Sequence, residues 1–300
     1  MNILVTGGAG FIASHIADAY IEKGHRVAVI DNLSTGSKKN INPRAKFYKA
    51  DIRDAKTIEG IFAKERPQIV NHHAALASVI ISTKDPAQTL AVNVEGTLLL
   101  LEAGRKNGTK RFIFSSTGGA IYGNPKKIPA AETAPAIPLS PYGLSKKLAE
   151  DVIRFYTDTY GISHVIFRYA NVYGPRQNPK GEAGVVAIFG ALMKKNARPT
   201  IFGDGSKTRD YVHVSDVVRA NLLASTRGKN ETFNIGTGKE VSDYDVFLAV
   251  AEATEFTKEP VFKPFRKGEI TRISLSSTKA EKMLGWKPEV TFEKGVPKSI

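Results

Sequence analysis

Eight residues near the start of the chain, Thr6, Gly7, Gly8, Ala9, Gly10, Phe11, Ile12 and Ala13, constrain its fold more than any other feature. They follow a short apolar run, Asn2–Thr6, and open a segment, Phe11–Lys23, whose apolar residues recur at helical spacing. A strand that turns through glycines straight into a helix leaves the first helical N–H groups unpaired. Together with the partial positive charge of the helix end, they form a cradle for an anion. Gly7 permits the tight turn, Gly10 lets the backbone approach a pyrophosphate, and Ala13 is the small residue needed where helix meets strand. Gly24 breaks the helix, Arg26–Ile30 is a second β-rich run, and Asp31 closes it. That acid stands at about the 20-residue distance at which a carboxylate meets the ribose of a bound dinucleotide. It would repel a 2′-phosphate, so the pattern predicts NAD over NADP. Gly7, Gly10, Phe11, Ile12, Asp31 and Asn32 are the expected cofactor contacts of this turn.

The following residues keep the alternation. Ala45–Ala50, Gln68–Asn71, Arg111–Ser115 and His164–Arg168 read as strands. Ala55–Lys64, Asp85–Lys106 and Tyr142–Tyr160 read as helices, the last capped by Ser140 ahead of Pro141. Strand–helix alternation at this spacing predicts an α/β fold, a doubly wound parallel Rossmann sheet. After Asn171, Pro, Gly and charged residues become frequent and the strands shorten. This predicts a smaller C-terminal α/β lobe that binds substrate. The expected division is 1–170 for the cofactor and 171–300 for the substrate, with a soft boundary that the chain can cross back over. Asp51 and Ile52 follow the third strand, where adenine contacts are usual, although a solvated Asp51 fits as well. Ala74 and Ala75 follow the fourth strand, where small residues let a cofactor lie across the sheet or simply pack the core.

Composition narrows the classes. The chain has 300 residues, 42% of them hydrophobic, enough to bury a large core. It has no cysteine, which removes disulfides, thiolate metal sites and cysteine nucleophiles and suits a reducing compartment. The first residues carry no signal-peptide pattern, and no apolar run approaches the ~20 residues of a membrane helix. A cytoplasmic protein without a membrane partner is expected. The net charge of +14 raises the question of nucleic acid. The basic residues are scattered, in short clusters such as Lys38 with Lys39 and Lys194 with Lys195, and no basic stretch is interleaved with aromatics. A basic surface with a phosphate pocket is expected, and no nucleic-acid partner.

Tyr142 and Lys146 lie one turn apart and so share a helix face. A tyrosine acts as a base near neutral pH only with help, and a nearby ammonium and an oxidised nicotinamide both stabilise the phenolate and lower its pKa. Ser115, Ser116 and Thr117 end the fifth strand at the carboxyl edge of the sheet, where such folds bind ligands. A hydroxyl there can share a proton moving between Tyr142 and a substrate hydroxyl. No HExxH, phosphate-loop or nucleophile-elbow pattern competes. His72 and His73 are adjacent, so on a strand they face opposite ways and make a poor metal pair. No metal is expected.

These residues, with Arg168–Pro175, Asn93–Thr97, Asp204–Val212, Phe233–Gly236 and Leu284–Pro288, resemble the extended short-chain dehydrogenase/reductase family. Within it they resemble the UDP-hexose 4-epimerases, over almost the whole chain. The resemblance implies roles. Tyr142 would be the base, Lys146 its partner and ribose ligand, and Thr117 the catalytic hydroxyl, with Ser116 as the alternative. Asn93 would join the cofactor contacts. Asn171 would hold the sugar or its diphosphate, and Gly184, Val185 and Val186 would lie along the nucleotide. Arg209 and Arg266 would pair with the diphosphate, where guanidinium geometry suits phosphate oxygens. Glu269 would complete the substrate contacts. A UDP-sugar is the implied substrate, NAD a bound catalyst, and a homodimer through Asp85–Lys106 and Tyr142–Tyr160 the implied assembly. Ala13 replaces the more usual third glycine, and Leu76 stands where a polar residue is common.

Two rivals follow. Nucleotide-sugar dehydratases and reductases share the fold, but the dehydratases carry acids just after the catalytic threonine, where this chain has Gly118, Gly119 and Ala120. A non-catalytic NAD- or RNA-binding relative would suit the charge but has no need to keep Tyr142, Lys146 and Thr117 together. The choice among glucose/galactose, N-acetylated and uronic sugars stays open. Ile273–Leu275 is expected to border that part of the pocket.

Overall fold

The structure, a computed structural model, describes residues 1–180, 184–265 and 270–300. Six strands appear in order through the first half: β1 Asn2–Thr6, β2 Arg26–Asp31, β3 Lys46–Lys49, β4 Ile69–His72, β5 Arg111–Thr117 and β6 Ser163–Tyr169. They pair in parallel as β3-β2-β1-β4-β5-β6, and a seventh strand, Glu231–Ile235, adds in parallel beside β6. The strand order reverses between β1 and β4, so the loops that leave those strands diverge and open a crevice at their carboxyl ends.

Side-chain alternation explains why helices cover both faces. Ile3 and Val5 of β1 and Ile113 of β5 point into one core, which includes Ile16, Tyr20, Phe167 and Phe233. Leu4, Phe112 and Phe114 point into the other, with Ile30, Phe62, Val70 and Ile166. A parallel sheet buried on both faces needs this pattern, because each strand must be apolar at odd and even positions alike. The helix Phe11–Glu22 buries Ala13, Ile16, Ala17 and Tyr20 along one stripe and ends before Gly24, whose φ is +78°.

The expected helix Asp85–Lys106 is more elaborate. A separate short helix, Val79–Lys84, precedes it, and Asp85 caps Pro86–Leu90 by accepting from Gln88 N at 2.9 Å. The chain then widens to π geometry over Ala91–Glu95 before continuing as Gly96–Lys106. Apolar spacing does not register the extra residue of such a bulge.

Beyond Tyr169 the strands are short. Asn171–Tyr173 pairs with Tyr211–His213, Thr208–Arg209 with Val241–Ser242, and Thr200–Phe202 with Val261–Lys263. A third core, with Tyr173, Phe189, Ile201, Phe247 and Val250, holds them to the helices Val185–Met193 and Asp243–Thr254. Glu231–Ile235 does not stay with this lobe. It returns to the large sheet, and Trp286 is buried nearby with its indole N–H on Asp216 O at 2.8 Å.

Candidate active site

The glycine-rich turn sits in the β1/β4 crevice. Gly7 has φ +70°, and a Cβ added there would lie 2.8 Å from Ala74 N, so two loops meet without room for a side chain. Gly7 N donates to Ile30 O at 2.8 Å, and Gly10 N donates to Gly7 O at 2.9 Å. The helix that begins at Phe11 has no side-chain cap and no acid in its first turn. Its first N–H groups, including that of Ile12, are therefore open to an anion. Asp31 is buried at the end of β2, where its carboxylate accepts from Ala9 N at 3.0 Å and Leu33 N at 2.7 Å. It braces the turn as well as closing the strand. Ser37 N at 2.9 Å and Asn40 Nδ2 at 3.1 Å both donate to Ala9 O, a loop contact that the sequence pattern did not announce.

The flanking residues divide. Asn32 donates to Asp51 at 3.2 Å, and Arg53 grips Asp51 through two contacts of 2.9 Å. The Arg53 guanidinium holds the Asp51 carboxyl far below the usual range, which makes it a fixed anion. Ile52 is buried against Gly96, so it packs the core under the loop. Ala74 N donates to Thr6 Oγ1 at 3.2 Å, and Ala75 is partly buried beside it. Asn93 sits inside the π turn with its amide wholly engaged. It accepts from Leu76 N at 2.8 Å and donates to Leu76 O at 3.0 Å and Ser145 Oγ at 2.9 Å. It clamps the loop after β4 to the helix that carries Tyr142.

That helix spans Pro141–Tyr160 and starts on the Ser140 hydroxyl, which accepts from Gly143 N at 3.1 Å. A Cβ on Gly143 would lie 2.5 Å from Ala120 O, so only glycine lets the helix come this close to the turn after β5. The approach places the Tyr142 phenol beside the Thr117 side chain. Lys146, one turn on, is 3% exposed, donates to Ser115 O at 2.7 Å and lies 4.7 Å from the Phe114 ring centre. Burial pulls the Lys146 pKa down to about 7, against the pull of Glu150. Burial also pushes the Tyr142 phenol up to about 12, and the Thr117 hydrogen bond offsets part of that rise. Burial is thus the burden that the expected help from Lys146 and an oxidised nicotinamide has to offset.

The pleat of β5 sorts its three hydroxyls. Thr117 meets Tyr142, while Ser116 turns the other way and donates to Glu150 Oε1 at 2.6 Å. Ser116 is thus no substitute for Thr117. Glu150 is fully buried and also accepts from Arg168, at 2.9 and 2.6 Å, and from Arg154 at 2.7 Å. Sequence reasoning missed this cluster, although Lys146, Glu150 and Arg154 repeat at one-turn spacing on one face. His72 and His73 do diverge. His72 contacts Thr6 Oγ1 at 2.6 Å and Thr97 Oγ1 at 3.0 Å, and His73 contacts Tyr169 OH at 3.3 Å. Burial drives both pKa values down, that of His73 to about 3. Among the described residues no cluster of His, Asp or Glu could hold a metal ion.

Residues beyond Tyr169 add to this geometry. Asn171 N donates to Asp210 O at 2.9 Å, and its side-chain oxygen lies 3.4 Å from where a Cβ on Gly119 would sit, close to Thr117. Arg209 donates to Thr208 O at 2.8 Å, Ile270 O at 2.6 Å and Thr271 O at 3.4 Å, which fixes its guanidinium on backbone carbonyls. Gly184 precedes the helix Val185–Met193, whose start has no side-chain cap; Val185 is partly buried and Val186 turns into the core. Arg266 and Glu269 lie outside the described residues. Ile273, Ser274 and Leu275 are all buried, and Leu275 lies against Gly118.

Three comparisons bear on this geometry. The profile of the NAD dependent epimerase/dehydratase family matches residues 3–236. The UDP-glucose 4-epimerase of Mycolicibacterium smegmatis is 42% identical over 306 residues, covering 100% of this chain and 97% of its own. A crystal structure of the UDP-glucose 4-epimerase of Thermotoga maritima with UDP-glucose superposes with a TM-score of 0.98 at 52% identity, covering 100% of this chain and 97% of that one. The Thermus thermophilus UDP-glucose 4-epimerase, in complex with NAD, gives 0.95 at 43% identity with the same coverage of both chains.

Proposed function

The chain belongs to the NAD dependent epimerase/dehydratase family, and from that premise we infer that it is an NAD-using isomerase that interconverts UDP-glucose and UDP-galactose at carbon 4. One observation carries the reading: the Tyr142 phenol lies beside the Thr117 side chain with Lys146 held one turn away, and glycines in place of acids follow Thr117.

The crevice suits NAD. Gly7 leaves no room for a side chain beside Ala74, the helix at Phe11 has open N–H groups, and Asp31 stands ready for ribose hydroxyls. When bound, NAD supplies a positively charged acceptor that takes a hydride and gives it back, so it is regenerated in each turnover. The chain's own residues handle the proton. Tyr142 takes it from the sugar 4-hydroxyl and later returns it, Thr117 shares it, and the Lys146 ammonium favours the phenolate in between. The 4-keto sugar turns within the site between these two transfers. In this reading Asn171 orients the sugar, and Arg209 and Arg266 pair with the diphosphate. Gly184, Val185 and Val186 border the nucleotide, and Glu269 completes the set. Gly7, Gly10, Phe11, Ile12, Asp31, Asn32, Asp51, Ile52, Ala74 and Ala75 form the cofactor wall, with Asn93 acting through the loop it clamps.

The same reading includes a homodimer. Leu98, Leu144, Leu148, Phe155 and Tyr160 are exposed on the helices that the family resemblance points to, and Val79–Ile81 adds an exposed apolar turn. Such a patch favours association. Among the described residues no helix is long and apolar enough to cross a membrane. We place the reaction in the cytoplasm, which a cysteine-free chain suits.

Proton NMR of UDP-galactose incubated with the protein and catalytic NAD tests the function. UDP-glucose is expected to accumulate reversibly without net NADH. A 4-keto-6-deoxy product would replace the reading with a dehydratase, and absence of any product with this and the N-acetylated and uronic sugars would end it.

A further inference from the structure

The Glu150 cluster is absorbed by none of the roles above. Its carboxylate has 0% side-chain exposure and is saturated. Oε1 accepts from Ser116 Oγ at 2.6 Å and Arg168 Nε at 2.9 Å, and Oε2 accepts from Arg168 Nη2 at 2.6 Å and Arg154 Nη2 at 2.7 Å. Arg168 reaches on to Tyr122 OH at 3.0 Å, and Tyr122 donates to Asn234 Oδ1 at 2.7 Å on the seventh strand. One carboxylate thus joins the Tyr142 helix to β5, to β6 and, through Tyr122, to the strand that returns from the second lobe. Ser116 lies between Ser115, whose carbonyl takes the Lys146 ammonium, and Thr117, which meets Tyr142.

We propose that Glu150 is a positioning residue for the reaction centre: it clamps the Tyr142–Lys146 helix to the Ser115–Thr117 strand end and holds negative charge one turn from Lys146. A buried carboxylate persists as an anion only when donors compensate it. Burial would raise its pKa, but Arg168, Ser116 and Arg154 hold it below the usual range, so it stays charged throughout neutral pH. The groups that face Glu150 are Arg154 on its own helix, Ser116 on β5, and Arg168 and His164 on β6. Those around Lys146 are Tyr142 and Glu150 on its own helix, the Phe114 ring and Ser115 carbonyl on β5, His72 on β4 and His73 just after it. Burial keeps both histidines neutral, so at neutral pH the carboxylate beside Lys146 is that of Glu150. Without it, desolvation would strip the Lys146 proton at lower pH.

The kinetic arm of the test rests on the epimerase reading, and the spectroscopic arm does not. Full-length protein labelled with 13Cε-lysine is titrated by NMR, with the Lys146 signal assigned by its loss in Lys146→Met. In Glu150→Gln the Lys146 midpoint is expected to fall by about one pH unit. With UDP-galactose and NAD, kcat is expected to fall about tenfold with KM within about twofold, and the alkaline limb of kcat to move to lower pH. An unmoved midpoint in folded Glu150→Gln protein overturns the proposal. Removing one partner of a buried ion pair can cost the fold, so Glu150→Asp is the second variant. It keeps the charge but is one methylene too short to serve both Ser116 and Arg168. Its midpoint is expected to stay while kcat falls, and wild-type kcat there overturns the clamp. If the wild-type protein turns over no sugar, the function reading fails, and the Lys146 midpoint still decides the role of Glu150.

Discussion

The two halves of the site are held by different means. In the first half, Tyr142, Lys146, Thr117 and Asp31 stand on long elements: a 20-residue helix and strands of 7 and 6 residues in a sheet of seven. Their backbones are fixed by helix and sheet ladders, which do not depend on the side chains. In the second half the strands facing the site are 2 or 3 residues long. Side chains there do the fastening. Asp210 is 2% exposed and accepts from Thr237 N at 2.8 Å, Thr237 Oγ1 at 2.6 Å, Gly238 N at 3.0 Å and Leu275 N at 3.1 Å. Arg209 does the same for carbonyls, and Asp216 accepts from the N–H groups of Glu289 and Val290. Where ladders are short, buried polar side chains must satisfy the loops, because an unpaired buried backbone group is costly.

Four experiments can break or sharpen that contrast. The largest effect belongs to Tyr142→Phe, which keeps the ring and removes the proton carrier. Turnover is expected to fall about 1,000-fold with NAD retention and Tm unchanged, since ladders hold the helix. A large drop in Tm would show the first half to be less self-sufficient than described. Next is Asp210→Ala, which strands three backbone N–H groups. A loss of about 3 kcal/mol in denaturant unfolding and a roughly tenfold rise in KM are expected, with NAD binding spared. If stability and KM stay at wild-type values, the second half does not depend on its side-chain fasteners.

Asp31→Ala is the matched change in the first half. It removes an acceptor from Ala9 N and Leu33 N, yet the strand behind it remains paired. Preference for NAD over NADP is expected to weaken by about tenfold, with a smaller stability loss than in Asp210→Ala. The reverse order of stability would undo the comparison. The smallest effect is a pH slope from the first half. Burial lowers His164 to about 4 and His73 to about 3, so the unfolded chain takes up protons that the folded one refuses. The stability they contribute is complete above their unfolded value of about 6.5 and is lost as pH falls towards their folded values. Relative to His164→Asn, wild-type Tm is expected to drop an additional 1–2 °C, roughly, between pH 6.5 and 5.5. Parallel curves would mean that His164 is not held neutral.

Much of the first half was legible because its signals are periodic. Glycines at a strand–helix turn, Asp31 at the end of the next strand, and Tyr142 with Lys146 on one helix face all depend on neighbours close in sequence. The second half was less so. Strands of 2 or 3 residues carry no readable alternation, and the partners of Asp210 at Thr237, Gly238 and Leu275 are remote along the chain. The same limit hid the π turn that aims Asn93 at Leu76 and the ion pair of Glu150 with Arg168.

By itself, then, the sequence determined the parallel sheet, the dinucleotide turn and the placing of Tyr142 and Lys146 on one helix face, because backbone geometry repeats every 3.6 or 2 residues and writes itself into spacing. The tertiary structure alone decided that Thr117 and not Ser116 meets the phenol, that Glu231–Ile235 returns to the first sheet, and that burial sets Tyr142 near 12 and Lys146 near 7. Those outcomes depend on which remote groups approach and on how much water they exclude, and neither quantity exists until the chain has folded.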